Sequence, residues 1–444
     1  MNMAETKIIQ TLDKNPSDYK LLRYLYLYRV LDSKQIVPII YKVSDERLIN
    51  NIVIRLKRGG FITTSKLDLP HHQLLYITNK GITAVKLKYE LLTEIWDERT
   101  QTYHPGYHTA AELKVKKRFL DHQIHLNQFM LNFQKHNASN YHVNWRYYDE
   151  AFISSYQTIR PDALLQVLNN DYLIELDMAT ETKQQLVEKW QRYARFLKSA
   201  EFSMHNRQII VLFVCDNLTK DIKIKRRIEL VRHTIKEVLS EVMPSNFEII
   251  VNCPDVILKY VDKQISTLMS TSKPLTRTIL ENIGDNWILT LPNEKIEEKL
   301  NKTFDYQLTL LNMNKVAKVP LTERSQIFMV DDATDRQLST YSKVKLFNKS
   351  FSYLEKKSIP FYLVIIKDID QGYWDYYDVL DTKNVFFTTL KRLKKFPLYK
   401  AIFRYQWDGR VTHFDDYSWK NIIWEPGYDP RGSNVIRYKV KNQK

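Results

Sequence analysis

The segment at residues 160–177 constrains the fold more than any other part of the chain. It reads RPDALLQVLNNDYLIELD, two apolar runs on either side of an Asn-Asn pair at 169–170. Such a pair between two strand-like runs predicts a tight β-hairpin, because Asn tolerates the backbone of a two-residue turn. In that register Asp162 lies opposite Asp177, and Glu175 lies on the same side of the hairpin. The sequence therefore predicts three carboxylates on one face.

The opposite face of this hairpin is apolar and is expected to pack against helices. Its members alternate along both runs: Ala163, Leu165, Val167, Tyr172, Ile174 and Leu176. Carboxylates that lie close together repel one another, so they require a cation or hydrogen-bond donors. Oxygen ligands favour Mg²⁺ or Mn²⁺, and the expected metal ligands are Asp162 and Glu175. The alternative is a set of surface acids that pair with cations of the following helix: Lys189, Arg192 and Arg195.

The periodicities around the hairpin follow one order: helix, three strands, helix, strand, with a further helix and strand after them. One long amphipathic helix is expected over residues 109–136. With Pro161-Asp162 and Glu175, this order resembles the PD-(D/E)xK nuclease superfamily, which has a restriction-endonuclease-like fold. The resemblance implies that the acids hold Mg²⁺, which activates a water for attack on phosphorus. The superfamily's lysine two residues past the second acid is replaced here by Asp177.

Lysine from the next helix occurs in relatives of that superfamily. The resemblance therefore implies Lys189 as the replacement, with Lys183 as the second choice. The catalytic set that follows from the resemblance is Asp162, Glu175, Asp177 and Lys189.

Residues 15–90 predict three short helices, a strand, a polar turn at 70–72, a strand and a last helix. The first of these helices is expected to run to residue 31. The third helix carries an apolar stripe: Leu48, Ile49, Ile52, Val53 and Leu56. Its other side carries residue types that read bases, at spacings of four, four and three: Arg47, Asn51, Arg55 and Arg58. The order resembles the winged helix-turn-helix family of DNA-binding domains, and the alternative is an ordinary solvated helix face.

The net charge agrees with a polyanionic partner. The chain has 67 Lys and Arg against 51 Asp and Glu, a net charge of +16, and double-stranded DNA is the expected partner. Nine glycines offer no Gly-rich loop for a phosphate chain, which argues against ATP-driven mechanisms. Two cysteines indicate neither disulfides nor a thiolate metal site. The chain has no apolar run that could span a bilayer, so a cytoplasmic protein without a membrane partner is expected.

Four short motifs give a narrower resemblance. LDHQIHLNQF, RPDALLQV, YLIELDMATET and KWQRYARF, preceded by the winged-helix pattern, together resemble the replication-relaxation family of plasmids and mobile elements in low-GC Gram-positive bacteria. The resemblance covers approximately residues 15–260. It implies a DNA-binding domain followed by a nuclease-like domain that acts in replication or mobilisation.

The histidine pattern argues against a relaxase, which needs alternating histidines on a strand and a nucleophilic tyrosine. No His-x-His occurs in the chain. His122 and His125 lie three residues apart on the predicted long helix, where they either bind a metal or pack. No internal repeat stands out, and after a Ser/Thr-rich linker the remaining residues predict a mixed α+β domain. Residues 384–396 are expected to form a basic helix.

The sequence thus predicts a multi-domain α/β protein. A winged helix spans residues 15–100, a restriction-endonuclease-like αβββαβ domain spans 108–260, and an α+β domain of unknown role spans 275–444. The predicted function is that of a mobile element's DNA-binding protein in plasmid replication or mobilisation, with Mg²⁺-dependent strand nicking in the central domain. The alternative is a non-catalytic relaxosome accessory factor or a transcriptional regulator. A replication or relaxase protein as partner, and a homo-oligomer, stay open.

Overall fold

The computed structural model describes most of the chain. The described residues are 12, 15–40, 46–66, 73–91, 94–97, 102–150, 153, 156–205, 207–216, 221–269, 274–282, 287–310, 326–351, 360–379, 384–405 and 411–413. The chain forms two units, each assembled from more than one segment. Unit 1 contains Met1–Ala179, Val214–Leu218 and Cys253–Asp262, and unit 2 contains Thr180–Phe213, Thr219–Asn252 and Lys263–Lys444. Every helix in these ranges is either too short or too polar to span a bilayer.

The N-terminal part of unit 1 is a helical cluster on a small antiparallel sheet. Its elements are α1 (Pro16–Tyr28), β1 (Val30–Asp32), α2 (Ser33–Ile40), α3 (Glu46–Arg58), β2 (Ile62–Lys66), β3 (Gln73–Ile77) and α4 (Asn79–Tyr89). The sheet has the order β1-β3-β2. The predicted helices and hairpin are therefore confirmed as elements, and the predicted turn at residues 70–72 lies outside the described residues.

Strand β1 corrects the expected end of the first helix. The helix ends at Tyr28, Arg29 has a positive φ of +66°, and Val30 pairs with Tyr76 of β3. Val30 and Leu31 are fully buried. A helix would carry these residues past the small sheet, whereas an extended backbone lets both pack under it and form its third strand.

Unit 1 continues with a second hairpin, a long helix and three antiparallel strands. These elements are β4 (Glu94–Asp97), β5 (Thr102–Pro105), α5 (Ala110–Leu113), a 3₁₀ turn (Lys117–Phe119), α6 (Leu120–Asn140), β6 (Trp145–Asp149), β7 (Ala163–Val167) and β8 (Asn170–Asp177). The prediction of a single helix over 109–136 is wrong for roughly the first third of that range. Lys114 has an extended backbone at the end of α5, so the chain breaks before α6 begins.

The hairpin β7-β8 forms, but its predicted register is wrong by two residues. Val167 pairs with Asn170, so the turn is at 168–169, and Leu168 adopts a positive φ of +51°. A shift of two residues keeps every side chain on its predicted side of the sheet, because sides alternate with a period of two. Strand β8 is buried along its whole length, so neither of its faces is open to solvent.

Helix α6 joins the N-terminal elements to this sheet inside unit 1. The Asn127 side-chain amide donates to the carbonyl oxygens of Tyr28 at 3.0 Å and Val30 at 2.6 Å. Asp149, which is fully buried at the end of β6, accepts from Arg29 at 2.9 Å and from Gln123 at 2.7 Å. The residues that the sequence assigns to two separate domains thus share buried polar contacts.

Two elements contribute to both units, each by a different part of its length. They are β9 (Gln208–Cys215) and α10 (Pro254–Met269). Within unit 1, the Asp216 N–H after β9 donates to the Asp177 carbonyl at 2.9 Å, so the carboxyl ends of β8 and β9 are neighbours. Within unit 2, the Ile209 N–H donates to the Asn246 carbonyl at 2.9 Å. The strand order is β10-β9-β8-β7-β6.

Unit 2 also contains the helices that follow β8 and β9. These elements are α7 (Lys183–Leu197), α8 (Ala200–Ser203), α9 (Asp221–Leu239) and β10 (Phe247–Asn252). Trp190 of α7 is fully buried; it packs on Phe213 and donates to the Thr234 hydroxyl at 3.2 Å. Thr182 caps α7 through a reciprocal capping box with Gln185.

The C-terminal part of unit 2 is a seven-stranded mixed sheet with strands in chain order. Its elements are α11 (Pro274–Asn282), β11 (Trp287–Thr290), α12 (Glu294–Leu300), β12 (Tyr306–Leu310), β13 (Gln326–Asp332), α13 (Leu338–Phe351), β14 (Phe361–Ile366), α14 (Ile369–Tyr376), β15 (Val385–Thr389), α15 (Leu390–Leu393), α16 (Leu398–Ala401), β16 (Phe403–Tyr405) and β17 (Val411–His413). The pairs β13-β14 and β14-β15 are parallel, and the others are antiparallel.

Both faces of this sheet are covered. Helices α11, α15 and α16 pack on one apolar face and α12, α13 and α14 on the other. The basic helix expected over 384–396 is wrong, because Val385–Thr389 is a completely buried strand and only the four residues of α15 are helical there. The β-branched and aromatic residues Val385, Phe386 and Phe387 favour the strand.

Candidate nucleic-acid interface and acidic centre

Helix α3 has the two-sided character that the sequence predicts. Ile49, Ile52 and Leu56 are buried against the rest of the N-terminal elements. The polar side remains accessible: Arg47, Asn51, Arg55 and Arg58 are all exposed residues. The structure therefore brings the four predicted DNA-binding residues together on one accessible helix face.

Arg55 has a structural role that the sequence did not reveal. Its Nε donates to Oδ2 of Asp18 at 2.8 Å, and its Nη2 donates to Oδ1 of the same carboxylate. Asp18 is buried in the first turn of α1, whereas the Arg55 side chain is 41% exposed. This two-pronged pair ties α3 to α1. Base reading by Arg55 stays a prediction, to which the structure adds a positioning role for the helix.

The carboxylate of Asp162 lies against the end of β8. The Asp162 N–H donates to the Ile174 carbonyl at 3.0 Å, and its Oδ2 accepts from the Leu176 N–H at 2.8 Å. The same oxygen is 3.3 Å from Nε2 of His122 on α6, and the Asp162 side chain is 23% exposed. Asp162 is thus placed beside residues 174–176, where the sequence predicts the shared acidic face.

The other two predicted acids are more deeply placed. Glu175 and Asp177 are buried, at 4% and 2% exposure. Asp177 accepts from the Ala179 N–H at 3.0 Å, which closes the turn after β8. A backbone donor thus holds Asp177, and burial keeps both acids from forming an exposed row. Among the residues with described positions, no group of three or more His, Cys, Asp or Glu side chains is arranged to hold a metal ion.

Three histidines of α6 pair with three aspartates that come from different parts of unit 1. His122 lies beside Asp162, His125 Nδ1 is 2.8 Å from Asp216 Oδ2, and His136 Nδ1 is 3.0 Å from Asp262 Oδ2. The sequence places the first two histidines on one helical face, but it gives no signal for their partners. Helix α6 therefore places three imidazoles beside aspartates. Two of these imidazoles lie near the carboxyl ends of β8 and β9, close to the acids Asp162, Glu175 and Asp177, which we call the acidic centre.

The pair of His125 with Asp216 is expected to make the stability of unit 1 depend on pH. The hydrogen bond with Asp216 raises the pKa of His125 above its ordinary value, against the opposing effect of burial. A raised pKa stabilises the fold below the unfolded-state pKa, near 6.5, and this contribution is lost as pH rises through the folded-state pKa. We expect His125→Gln to flatten the fall in unfolding free energy between about pH 6 and 8.

Urea denaturation of both proteins across that range measures the difference. The Asp216→Asn variant is expected to flatten the profile in the same way, since it removes the other half of the pair. Equal pH profiles for wild type and His125→Gln would show that the pair does not contribute.

The lysines implied as catalytic replacements have partners within unit 2. Lys189 Nζ is 3.1 Å from Glu181 Oε1 and 5.4 Å from the centre of the Phe213 ring, and its side chain is mostly buried. Lys183 Nζ is 3.4 Å from Glu237 Oε2, in an exposed pair at the beginning of α7. The catalytic role of Lys189 stays a prediction.

One protein family matches this chain. Residues 22–212 match the family model described as Replication-relaxation. The matched range begins in α1 and ends in β9, so it includes both the α3 face and the acidic centre. The match supports the resemblance that four short motifs indicate. No curated protein and no solved structure matches the chain.

Proposed function

We propose that this protein binds double-stranded DNA and acts in the replication or mobilisation of a plasmid or another mobile element. In this proposal residues 16–89 form a winged helix, and α3 enters the major groove. The observation that carries the proposal is the accessible face of α3, where Arg47, Asn51 and Arg58 stand opposite a buried apolar stripe. The Replication-relaxation match over residues 22–212 supports the proposed role in the replication or mobilisation of such an element.

The physical basis is the chemistry of the groove. The major groove is wide enough for a helix, Arg pairs with the two acceptors of guanine, and Asn pairs with adenine. The three-stranded sheet β1-β3-β2 and the helices α1, α2 and α3 support the proposal of a winged helix. The net charge of +16 favours binding to phosphate. In this proposal the pair of Arg55 with Asp18 holds α3 against α1.

The α3 face is tested by removing its side chains one at a time. We expect Arg47→Ala, Asn51→Ala and Arg58→Ala each to weaken specific binding by about 1–3 kcal/mol for a base contact. Fluorescence anisotropy with DNA from the element that encodes the protein, against shuffled DNA of the same length, measures affinity and preference. Lys135→Ala, an exposed lysine of α6, is the matched control. Unchanged affinity and preference in all three variants would exclude α3 as the reading helix.

A second candidate function is strand nicking at the acidic centre. It is favoured by the position of Asp162, whose carboxylate is partly exposed beside residues 174–176. Asp162 and Glu175 are the residues that would hold Mg²⁺ or Mn²⁺, since both supply the oxygen ligands these ions prefer. A bound divalent cation would lower the pKa of a water and neutralise charge on the phosphate. In this proposal His122 orients Asp162, and the Leu176 N–H holds its Oδ2.

A plasmid assay distinguishes strand nicking from DNA binding without nicking. Supercoiled plasmid that carries the element's DNA is incubated with the protein and Mg²⁺, and open circles are counted. If the centre is catalytic, Asp162→Asn and Glu175→Gln should reduce nicking by roughly 100-fold or more. Asp121→Asn, an exposed acid of α6, should retain activity. Binding without nicking by the wild type would assign the protein to the non-catalytic accessory factors or regulators.

A further inference from the structure

The C-terminal sheet repeats the strand plan of the central sheet. In the central one, β6, β7 and β8 are antiparallel neighbours, and helices α7 and α9 lead to β9 and β10. In the C-terminal one, β11, β12 and β13 are antiparallel neighbours, and helices α13 and α14 lead to β14 and β15. The orders β6-β7-β8-β9-β10 and β11-β12-β13-β14-β15 correspond strand by strand.

The correspondence extends to an unusual carboxylate at the same place in both sheets. Asp305 immediately precedes β12, as Asp162 immediately precedes β7. The Asp305 N–H donates to the Val330 carbonyl at 3.1 Å, and Asp305 Oδ2 accepts from the Asp332 N–H at 2.8 Å. The matching distances for Asp162, to residues 174 and 176, are 3.0 and 2.8 Å.

One further hydrogen bond recurs at an equivalent position. The turn bond after each strand is similar but offset by one residue: Asp332 accepts through Oδ1 from the Thr334 N–H at 3.0 Å, whereas the corresponding acceptor, Asp177, lies one place beyond the residue that corresponds to 332. The Tyr362 N–H, second in β14, donates to the Asn384 carbonyl just before β15 at 2.9 Å. Ile209, second in β9, donates to an asparagine in the same position before β10.

These correspondences assign an equivalent to two of the three acids of the central sheet, Asp162 and Glu175. Position 305 corresponds to 162, and position 331, between the two residues that bond Asp305, corresponds to 175. Both equivalents are acidic, Asp305 and Asp331.

The acids of the C-terminal sheet, Asp305 and Asp331, differ from those of the central sheet in the groups that neutralise the buried carboxylate. Asp331 is 2% exposed, and its Oδ2 is 2.8 Å from Nζ of Lys343 on α13, whose side chain is 10% exposed. The same oxygen accepts from the Tyr362 hydroxyl at 2.6 Å, and Oδ1 accepts from the Asp305 N–H at 2.9 Å. The Lys343 ammonium also lies 5.1 Å from the centre of the Phe304 ring. Asp331 is thus surrounded by protein donors.

We propose that residues 274–389 are a second copy of the module formed by residues 120–252, and that Lys343 supplies the positive charge that balances its carboxylate pair. The second copy is therefore closed and non-catalytic. Removing the ammonium group leaves two carboxylates and the space of a lysine side chain, which is the ligand set and the room that a hard divalent cation requires.

The test measures Mn²⁺ binding to the full-length Lys343→Ala variant by electron paramagnetic resonance. All variants carry Asp162→Asn, so that the first copy adds no signal and a failure of the proposed nicking site does not affect the result. We expect Lys343→Ala to bind one more Mn²⁺ per chain than its parent. Without Mn²⁺ its thermal midpoint should fall by roughly 10 °C, with partial recovery in Mn²⁺. Lys345→Ala, whose lysine pairs with an exposed glutamate, is the matched control and should behave as the parent does.

Two outcomes would overturn the proposal. One is a folded Lys343→Ala variant that binds no additional Mn²⁺ and whose midpoint does not respond to the ion. If Lys343→Ala does not fold, the variant Lys343→Ala/Asp331→Asn decides, because it removes both charges. A folded double variant supports charge balance by Lys343, and an unfolded one shows that the lysine is needed for packing instead.

Discussion

Replacing Arg29 with Met is expected to lower the unfolding free energy by about 3–5 kcal/mol, the cost of leaving a buried charge without its partner. Arg29 donates to Asp149, and their side chains are 13% and 0% exposed. The Gln123 amide would remain as a donor to Asp149, but it carries no charge. Chemical denaturation followed by circular dichroism measures the loss.

The control for this change is Arg146→Met, an exposed arginine on the same strand as Asp149. It should change the unfolding free energy by less than about 0.5 kcal/mol. The variant Arg29→Met/Asp149→Asn should recover part of the loss, since the asparagine is neutral and can still accept from Gln123. A loss below about 1 kcal/mol in Arg29→Met would show that Asp149 finds another partner.

Replacing Asp375 with Ala is expected to cost unit 2 a similar amount, about 3–5 kcal/mol. Asp375, buried in α14, accepts from Arg232 at 3.1 Å and from Arg336 at 2.6 Å. Burial raises the pKa of Asp375, but the guanidinium groups of Arg232 and Arg336 lower it by more than burial raises it. The pKa of Asp375 therefore lies below its ordinary value. This contribution to stability is present above about pH 4 and is lost as pH falls.

The matched control is Asp370→Ala, an exposed acid on the same helix. Thermal unfolding at pH 7 should separate the two variants by several degrees, because Asp375→Ala leaves Arg232 buried without its carboxylate. If Asp375→Ala unfolds at the temperature of the control, solvent reaches the two arginines and the cluster is not a stabilising one.

Periodicity predicts the elements well wherever one side of an element is apolar. Helix α3 and the hairpin β7-β8 follow from it, and a register error of two residues in the hairpin leaves its sides unchanged. Periodicity fails where a local break or a distant partner decides the conformation. The break at Lys114 is a local one, and the short strand at Val30 depends on a distant partner, because β1 pairs with β3.

The residues of the candidate site also differ in how well the sequence predicts them. The exposed residues of α3 could be predicted from spacing alone, because a helix face is a local property. The ion pair of Arg55 with Asp18 joins residues 37 apart, and that of His125 with Asp216 joins residues 91 apart. Such partners are set by tertiary packing, on which a single sequence carries no signal. The sequence does not reveal the second module, because its likeness to the first lies in the strand order and in backbone contacts and not in shared residues.

The way unit 1 is assembled has a consequence for its synthesis. It draws on three stretches of chain, the last of which ends at Asp262. A ribosome must therefore synthesise the chain through Asp262 before the imidazoles of His125 and His136 can both meet their partners, Asp216 and Asp262. Until then unit 1 of a nascent chain lacks part of its packing, and a truncated product that ends before Asp216 would lack both carboxylates.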